Sequence, residues 1–181
     1  MARAKDIVLG VTGSVAIYKA CEIVRRLREK DCNVTVVMTA EAAEFIKPVL
    51  FQSLSGNKVY TGMFDAPGEW EIGHVSLADR ADAIVVAPAT ANIIGKIAGG
   101  ICDDMLTCAI CATKAPVLIC PAMNDNMYAN KIVRENCRKL RSLGYAFVEP
   151  KKGALACGRT GVGCLAEIDQ IVKETCTLAA T

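Results

Sequence analysis

Short runs of apolar residues alternate along the chain with longer amphipathic segments. The runs DIVLGV, NVTVVM, ADAIVVA, PVLIC and YAFVEP are apolar almost throughout. Each precedes a segment whose apolar residues recur at helical spacing, such as SVAIYKACEIVRRLREK or NKIVRENCRKLRSLG. Strands that lack polar alternation and precede helices indicate a parallel sheet that is buried on both faces. The pattern therefore predicts an α/β fold, a single doubly wound parallel sheet with helices on both faces.

This Rossmann-like or flavodoxin-like arrangement predicts where a site should lie. Ligands in such folds bind beyond the carboxyl ends of the strands, so the residues that follow each strand are the first candidates. A chain of 181 residues has the size of one domain, and we expect residues 1–181 to form a single unit. The stretch YTGMFDAPGEWEIGH, residues 60–74, has no clear period and is interpreted as a loop leading to His74.

Composition argues against several classes of partner. Lys and Arg number 21 against 19 Asp and Glu, and no basic stripe is interleaved with aromatic residues, so we expect no nucleic-acid binding. The longest apolar runs, such as APVLICPAM, are far shorter than the roughly 20 residues of a membrane span. The chain begins without the apolar core and cleavage site of a signal peptide, so we expect a cytoplasmic protein.

The ten cysteines are scattered through apolar segments, which favours reduced, buried thiols over disulfides. Cys108 and Cys111 form a C-x-x-C pair in the segment TCAICAT. The pair fits two small apolar residues on a helix face better than a metal or redox site, because no second pair and no nearby histidine accompany it. We expect no metal.

Glycines and hydroxyl groups follow the first two strands. In GVTGSVAIYK, Gly10 and Gly13 allow a tight turn, and Ser14 is suited both to capping a helix and to binding a phosphate group. The segment is not G-x-G-x-x-G, and no acidic residue ends the second strand, so a nicotinamide dinucleotide is not expected. Thr39 adds a hydroxyl at the same edge, where it is also an ordinary helix cap.

Small polar groups follow the third of these strands, in PATANIIGKIAGGICDDMLT. Pro88 is expected to end the strand. Thr90 and Asn92 are candidates for ligand contacts, and Thr90 is equally suited to capping the next helix. Asp103 and Asp104 suit the first turn of a helix and are not expected to be catalytic.

The segment PAMNDNMY carries more chemistry than a connection between a strand and a helix needs. Met123, Asn124 and Met127 suit the lining of a pocket, although both methionines would serve equally well as core filling. Asp125 and Asn126 are interpreted mainly as residues that start a helix.

A single histidine and a glycine-flanked cysteine are the remaining candidates. His74 is the one imidazole available as a base near neutral pH, and a structural hydrogen-bonding role is the alternative. Cys157 lies in KKGALACGRTGVGCLAE, whose glycines suggest a mobile flap that closes over a substrate. Considered alone, Cys157 also fits a small residue in a turn.

Taken together, TGSVAIYK, HVSLA, APATANIIGKIAGGICDDMLT, PAMNDNMY and LACGRTGVG resemble the homo-oligomeric flavin-containing cysteine decarboxylases, in order and over nearly the whole chain. The branch that acts in coenzyme A biosynthesis is the most similar. The resemblance implies FMN as cofactor and a homotrimer, or a dodecamer of trimers, with FMN at the subunit contacts. Three positions differ from the family pattern: Ile93 replaces the usual Thr, Tyr128 a common Trp, and Cys164 an Arg of many bacterial relatives.

The resemblance also implies a reaction, the decarboxylation of the small-molecule substrate 4′-phosphopantothenoylcysteine to 4′-phosphopantetheine. The thiol-bearing carbon is first oxidised by FMN, so that loss of CO2 yields an enethiolate. His74 would assist thiol oxidation as a base, and Asn124 would hold the substrate carboxylate. Cys157 would return a proton, which makes the reaction redox-neutral.

Further site residues follow from the same resemblance. The cofactor contacts that it implies are Gly13, Ser14, Val15, Thr39, Pro88, Thr90, Ala91, Asn92 and Met123. Those that it implies for the substrate are Ala122, Asn124 and Met127.

Other functions within this fold remain open at this point. They are peptidyl-cysteine decarboxylation, electron transfer or reduction by bound FMN, and a non-catalytic regulatory subunit. Regulatory relatives typically lack one of His74, Asn124 and Cys157, and none of the three is missing here. The ligase domain often fused downstream is not among these residues, so we expect a separate synthetase.

Overall fold

The computed structural model describes residues 3–63 and 73–181. A six-stranded sheet forms its centre, and all the strand pairs in it are parallel. The strands are β1 Asp6–Val11, β2 Asn33–Met38, β3 Val59–Tyr60, β4 Ala83–Ala89, β5 Val117–Pro121 and β6 Ala146–Phe147. Their order is β3-β2-β1-β4-β5-β6, which confirms the predicted doubly wound sheet.

Helices cover both faces of this sheet. They are α1 Tyr18–Arg28, α2 Ala40–Phe45, α3 Pro48–Ser55, α4 Gly73–Arg80, α5 Ala91–Gly99, α6 Met105–Ala112, α7 Asp125–Ala129, α8 Lys131–Ser142 and α9 Ile168–Leu178, with a 3₁₀ helix at Val15–Ile17. Helices α1, α3 and α9 bury their apolar faces in one core, and α4, α5, α6 and α8 bury theirs in a second core.

Helix α1 shows how the sequence specifies this packing. Ala20, Ile23, Val24 and Leu27 recur at helical spacing, and all four are fully buried against the sheet. Burying a side chain of the size of Ile23 or Leu27 stabilises the fold by about 1.5–3 kcal/mol. The arginines of α1 lie in its last turn, where they favour the negative end of the helix dipole.

Two prolines change the predicted element boundaries. Pro88 does not end its strand as expected, because it is buried within β4. The pairing of β4 with β5 shifts register between Val86 and Ala89, and such an irregularity accommodates a residue without an N–H group. Pro48 is the first residue of α3, so the predicted amphipathic segment after β2 forms two helices rather than one.

The glycine-rich segment around Cys157 contains a β-hairpin. Strand β7, Lys151–Ala154, pairs antiparallel with β8, Thr160–Cys164. Within its tip the Leu155 N–H donates to the Arg159 carbonyl at 2.8 Å, and Gly158 has a φ of 83° that favours glycine. The sequence predicted a flap without strands, and its mobility remains a prediction.

His74 lies in the first turn of α4 and not in a loop, so the interpretation of residues 60–74 is wrong at this end. It is also wrong at the other end, because Tyr60 belongs to β3. Residues 64–72 of that stretch lie outside the described residues. None of the helices in the described ranges has the length and apolar character needed to cross a membrane.

Candidate functional site

The turn after β1 is tied to the end of β5 by Ser14. Its Oγ accepts a hydrogen bond from the Ala16 N–H at 3.3 Å, which caps the 3₁₀ helix, and donates to the Ala122 carbonyl at 3.3 Å. A Cβ at Gly13 would lie 2.6 Å from Glu41 Cβ, so α2 packs directly against this turn. Glycine is therefore required at position 13 for the observed backbone path.

Thr12 joins the ends of β1 and β4. Its Oγ1 donates to the Pro88 carbonyl at 2.7 Å and accepts from the Thr90 N–H at 3.2 Å. Thr90 in turn caps α5, because its Oγ1 accepts from the Ile93 N–H at 3.3 Å. Sequence reasoning missed Thr12, although a buried hydroxyl directly after an apolar strand needs a polar partner. These hydrogen bonds hold the ends of β1 and β4 together at the edge of the sheet where α5 starts.

Asn124 and Cys157 meet at this edge. The Oδ1 of Asn124 accepts from the Asn126 N–H at 2.9 Å and thereby caps α7. Because the oxygen must be the acceptor in this cap, the amide nitrogen points the other way. The Nδ2 atom lies 3.4 Å from Cys157 Sγ. The cap thus fixes Asn124 as a donor toward the hairpin.

The hairpin packs closely against the start of α7. The Met123 N–H donates to the Gly163 carbonyl at 3.0 Å. A Cβ at Gly161 would lie 2.7 Å from Asp125 Cβ, so β8 passes the helix at a distance that only glycine allows. Arg159 Nη2 pairs with Asp125 Oδ1 at 2.5 Å. These contacts bring the tip that carries Cys157 to Asn124.

The hairpin tip changes the acidity of Cys157. A hydrogen bond from the Arg159 backbone N–H and the charge of the Arg159 guanidinium lower the pKa of the Cys157 thiol, with a smaller contribution from the Asn124 amide. The residue is exposed, so the thiol is accessible as well as acidified.

A pocket of about 380 Å³ lies between the Ser14 turn, the start of α7 and the hairpin. Its size is within the range of cofactor and small-ligand sites. Nine of the residues predicted for the site line it: Gly13, Ser14, Val15, Thr90, Ala122, Met123, Asn124, Met127 and Cys157.

The pocket has further walls that sequence reasoning missed. Tyr18 and Lys19 contribute from the start of α1, and the hairpin contributes residues 154–157 and Cys164. Among the described residues that line the pocket, Lys19 is the one charged side chain. The position of Lys19 directly after the Ser14 turn could have identified it from the sequence, because the first turn of a helix lies at the edge of the sheet where the helix starts.

Four predicted cofactor contacts lie outside this lining in the described chain. Thr39 caps α2, its Oγ1 accepting from the Ala42 N–H at 3.3 Å, and Pro88 is buried within β4. Ala91 and Asn92 form the first turn of α5, where Asn92 is exposed. Thr39 and Thr90 thus cap helices α2 and α5, as the alternative to a ligand-contacting role predicted for each of them.

His74 is not among the described residues that line the pocket of its own chain. It is half-buried in α4, a helix that packs against α6. The neighbouring Gly73 faces Met105 of α6 and Tyr60 of β3, since a Cβ built on it would lie 3.4 Å from Met105 Cε and 3.6 Å from Tyr60 Cε1. A single chain therefore brings Asn124 and Cys157 together and leaves His74 elsewhere.

The three departures from the family pattern have different surroundings. Ile93 is 1% exposed in the core, so its side chain does not face the pocket. Cys164 lines the pocket, and its thiol donates to the Ala154 carbonyl at 3.3 Å. The Tyr128 hydroxyl donates to Glu149, and partial burial with this carboxylate raises the pKa of Tyr128 to about 12.

The C-x-x-C pair lies on α6, away from this pocket. Cys108 is half-buried with its thiol 3.5 Å from Met63 Sδ, whereas Cys111 is exposed. Within residues 3–63 and 73–181, no group of three or more His, Cys, Asp or Glu side chains is arranged to hold a metal ion.

Comparison with known families and curated proteins gives matches along nearly the whole chain. The family model described as Flavoprotein matches residues 1–180. The coenzyme A biosynthesis bifunctional protein CoaBC of Bacillus subtilis is 48% identical over 169 residues, which is 93% of this chain and 42% of that protein. CoaBC of Haemophilus influenzae is 41% identical over 167 residues, 92% of this chain and 42% of that protein. The chain thus spans about two fifths of the length of these relatives.

Solved structures also match along nearly the whole chain. A PPC decarboxylase mutant complexed with pantothenoylaminoethenethiol is 29% identical with a TM-score of 0.87, and the match covers 99% of this chain and 100% of the other. The FMN-dependent cysteine decarboxylase SpaF is 32% identical with a TM-score of 0.86 and 99% coverage of both chains. The FMN-binding protein AtHal3 is 33% identical with a TM-score of 0.82, covering 97% and 96%.

Proposed function

Because the chain belongs to the flavoprotein family, we propose that it is an FMN-dependent carboxy-lyase that converts 4′-phosphopantothenoylcysteine to 4′-phosphopantetheine in coenzyme A biosynthesis. The observation that carries the proposal is the 3.4 Å approach of Asn124 Nδ2 to Cys157 Sγ in a pocket beside the Ser14 turn. A carboxylate-binding amide and an acidic thiol in one pocket suit a reaction that removes a carboxylate and then adds a proton. The family resemblance inferred from the sequence is confirmed.

The residues around the pocket fit FMN. Gly13, Ser14 and Val15 form a close turn at a helix start, a geometry that suits the phosphate of a mononucleotide. Thr90 and Met123 line the same pocket and would flank the rest of the cofactor. The chemistry that FMN supplies when bound is a reversible two-electron exchange with the substrate.

Asn124 is the proposed anchor of the substrate carboxylate. Its capping bond leaves Nδ2 as a donor, and a neutral donor holds the carboxylate without stabilising the ground-state anion as strongly as an arginine would. Since this interaction is lost as CO2 leaves, weaker ground-state binding favours the reaction. Met123 and Met127 add apolar surface that excludes water.

Cys157 is the proposed proton donor. After CO2 leaves, the thiol of Cys157 gives its proton to the substrate carbon, and the resulting thiolate lies beside the Arg159 guanidinium. The two electrons removed from the substrate in the first step return to it in the last. The overall reaction therefore exchanges CO2 for hydrogen and needs no external oxidant.

His74 would complete the site from a neighbouring subunit of a homotrimer, or of a dodecamer of trimers. Exposed apolar side chains support this arrangement, because they lie both beside His74 and around the pocket, the two surfaces that would meet. Val75, next to His74, is 39% exposed, and at the pocket Val15, Tyr18 and Met127 are 57%, 62% and 48% exposed. A subunit contact would cover these side chains and bring an imidazole base to the substrate thiol.

The proposal also includes the domain organisation of residues 1–181 and the cellular compartment of the protein. Residues 1–181 would form one FMN-binding domain that shares its family with part of the longer CoaBC proteins. All ten cysteines are free thiols, which suits a reducing compartment such as the cytoplasm.

Product mass tests this proposal directly. The purified yellow protein is incubated with 4′-phosphopantothenoylcysteine, and the product is identified by mass spectrometry, with boiled protein as the control. The expected product has lost CO2 and nothing else. A product that has also lost two hydrogens would indicate the oxidative chemistry of peptidyl-cysteine decarboxylases. An unchanged substrate with reducible FMN would favour an electron carrier.

A further inference from the structure

We propose that Arg159 and Asp125 form a latch that holds the Cys157 thiol against Asn124 and keeps it ready to donate its proton. The inference deepens the proposed decarboxylase and rests on it. Arg159 touches neither the substrate-binding amide nor a substrate atom in this scheme, so it is a positioning residue that acts through Cys157.

The latch joins the neighbours of both reactive residues. Arg159 Nη2 lies 2.5 Å from Asp125 Oδ1. Asp125 directly follows Asn124 at the start of α7, and Arg159 follows Cys157 by two positions at the hairpin tip. The ion pair therefore runs beside the contact between Asn124 Nδ2 and Cys157 Sγ at 3.4 Å. Two adjacent links fix the tip in both position and rotation.

The rest of the hairpin explains why its tip needs such a link. The backbone bond from Met123 to Gly163 holds the base of the hairpin. From there the chain passes Asp125 at Gly161 and reaches a tip whose residues 156–160 are all exposed. Gly158 adds conformational freedom at that point. Backbone hydrogen bonds join Leu155 to Gly158 and Arg159 within the tip, and side-chain contacts with α7 add the link between the tip and Asn124.

The charges that face Cys157 come from three elements. Arg159 supplies a cation and a backbone N–H from the tip, and Asp125 supplies a carboxylate from α7. Lys19 of α1 and the thiol of Cys164 line the same pocket. While the latch is intact, Arg159 neutralises Asp125 and lowers the pKa of Cys157. A side-chain substitution at Arg159 would keep the backbone N–H, which is the largest cause of the lowered pKa. It would take away the cation and expose the thiol to an unpaired carboxylate, and both of these changes would raise the pKa of Cys157.

Alkylation of Cys157 tests the electrostatic half of the latch. The full-length protein is treated with iodoacetamide across a range of pH, and peptide mass spectrometry that separates Cys157 from Cys164 gives the rate. Because the thiolate is the nucleophile, Arg159→Gln should slow alkylation several-fold at neutral pH and move the midpoint of the profile upward. Arg159→Lys should recover part of the shift.

The matched control is Lys152→Gln, which removes a positive charge from the exposed side of the same hairpin. Its profile should coincide with that of the unmodified protein. A common midpoint for Arg159→Gln and Lys152→Gln would overturn the electrostatic role of Arg159. The pH midpoint of alkylation therefore tests the electrostatic role of Arg159. The plateau rate at high pH, where the thiol is fully ionised, reports only how accessible Cys157 is to the reagent.

Hydrogen exchange tests the positioning half. Amides of residues 155–159 should exchange faster in Arg159→Gln and in Asp125→Asn, and the double variant should show no further increase, because both substitutions break one link. Exchange in either variant equal to that of the unmodified protein would overturn the latch. Neither measurement requires substrate or turnover, so a failed decarboxylase assay and a failed latch remain distinguishable.

Discussion

The Asn124 amide nitrogen lies 3.4 Å from the Cys157 sulfur, although 33 positions separate the two residues in the chain. Asn124 is held by its cap on α7, and Cys157 is carried there by the β7–β8 hairpin. A carboxylate held by this amide would lie next to the thiol proton. In the proposed reaction the acid group would thus lie where a proton is needed once the carboxylate has left.

Replacing the thiol should separate the two halves of the proposed reaction. In Cys157→Ser the hydroxyl is far too weak an acid to replace the thiol, so under anaerobic conditions each site should release CO2 once and stop at the enethiol, because the two electrons removed in the first step cannot return to the substrate. The saturated product should fall by about 10²–10⁴-fold, the usual contribution of a general acid. Mass spectrometry of the products over time measures both. Cys111→Ser, at an exposed thiol on α6, is the control. Saturated product formed at the unmodified rate would remove Cys157 from the mechanism.

Replacing the imidazole should affect turnover and leave the cofactor bound. His74→Asn should keep its yellow colour, because His74 is not among the described residues that line the pocket beside the Ser14 turn, and should lose about 10²–10⁴-fold in kcat. The flavin absorbance and the rate of CO2 release measure the two properties. Rates close to those of the unmodified protein would exclude His74 as the base.

Mixed oligomers test whether His74 acts on a neighbouring subunit. The His74→Asn chain retains Cys157, and the Cys157→Ser chain retains His74. If the site is shared, co-assembling the two variants, neither of which forms the saturated product efficiently on its own, restores some complete sites and hence formation of saturated product. If the site belongs to one chain, no mixture contains a complete site. Activity that stays at the level of the separate variants after verified co-assembly would therefore contradict the shared site.

Much of the fold could be predicted because its signals are local. The apolar runs of β1, β2 and β4 need no partner to be recognised, and neither do the hydroxyl residues Thr39 and Thr90 that cap the following helices. Pro88 misled the analysis, since proline normally ends a strand, whereas a register shift accommodates it here. Strand β3, with two residues, is too short to produce a pattern.

The arrangement of the site was predictable only in part. Parallel strands bring their carboxyl ends to one edge, which is why Ser14, Thr90 and Asn124 could be expected near each other. The approach of Cys157 depends on hairpin register and on Gly161 passing Asp125, and neither leaves a local signal. His74 shows the opposite kind of error. The sequence analysis grouped it with Asn124 and Cys157, but within one chain it is not among the described residues that line their pocket.

The turn after β1 should not tolerate a side chain at Gly13. In Gly13→Ala the new Cβ would lie 2.6 Å from Glu41 Cβ, so α2 or the turn must move. Overpacking of this kind costs about 1–3 kcal/mol, and we expect FMN affinity to fall by about tenfold. Flavin fluorescence titration of the apoprotein gives the dissociation constant. Gly99→Ala is the control, because among the described residues its Cβ would make an ordinary contact with the Ile101 side chain at 3.6 Å. Equal FMN affinity in both variants would show that the turn does not hold the cofactor.

The edge of the sheet opposite the site is held by a carboxylate. Asp82 Oδ2 accepts from the Asp6 N–H at 2.7 Å and from Arg3 Nη2 at 3.0 Å, and so joins the starts of β1 and β4. The Asp6 N–H and, to a smaller extent, the charge of Arg3 lower the pKa of the Asp82 carboxyl below its ordinary value. Its side chain is 21% exposed, so solvent screens this interaction only in part.

This lowered pKa makes the contribution of Asp82 to stability depend on pH. A group whose pKa is lower in the folded state stabilises the protein fully above its unfolded-state pKa, about 4, and loses that effect as the pH falls through the folded value. Asp82→Asn should therefore reduce the free energy of unfolding by about 1 kcal/mol at pH 7. That corresponds to a decrease in Tm of about 2–4 °C, and the stabilities of the two proteins should begin to converge as the pH falls below about 4 and become equal below the folded-state pKa of Asp82. Urea unfolding at several pH values measures the difference, with Glu44→Gln at an exposed position of α2 as the control. A difference that persists unchanged at low pH would show that the charge of Asp82 is not what joins the two strands.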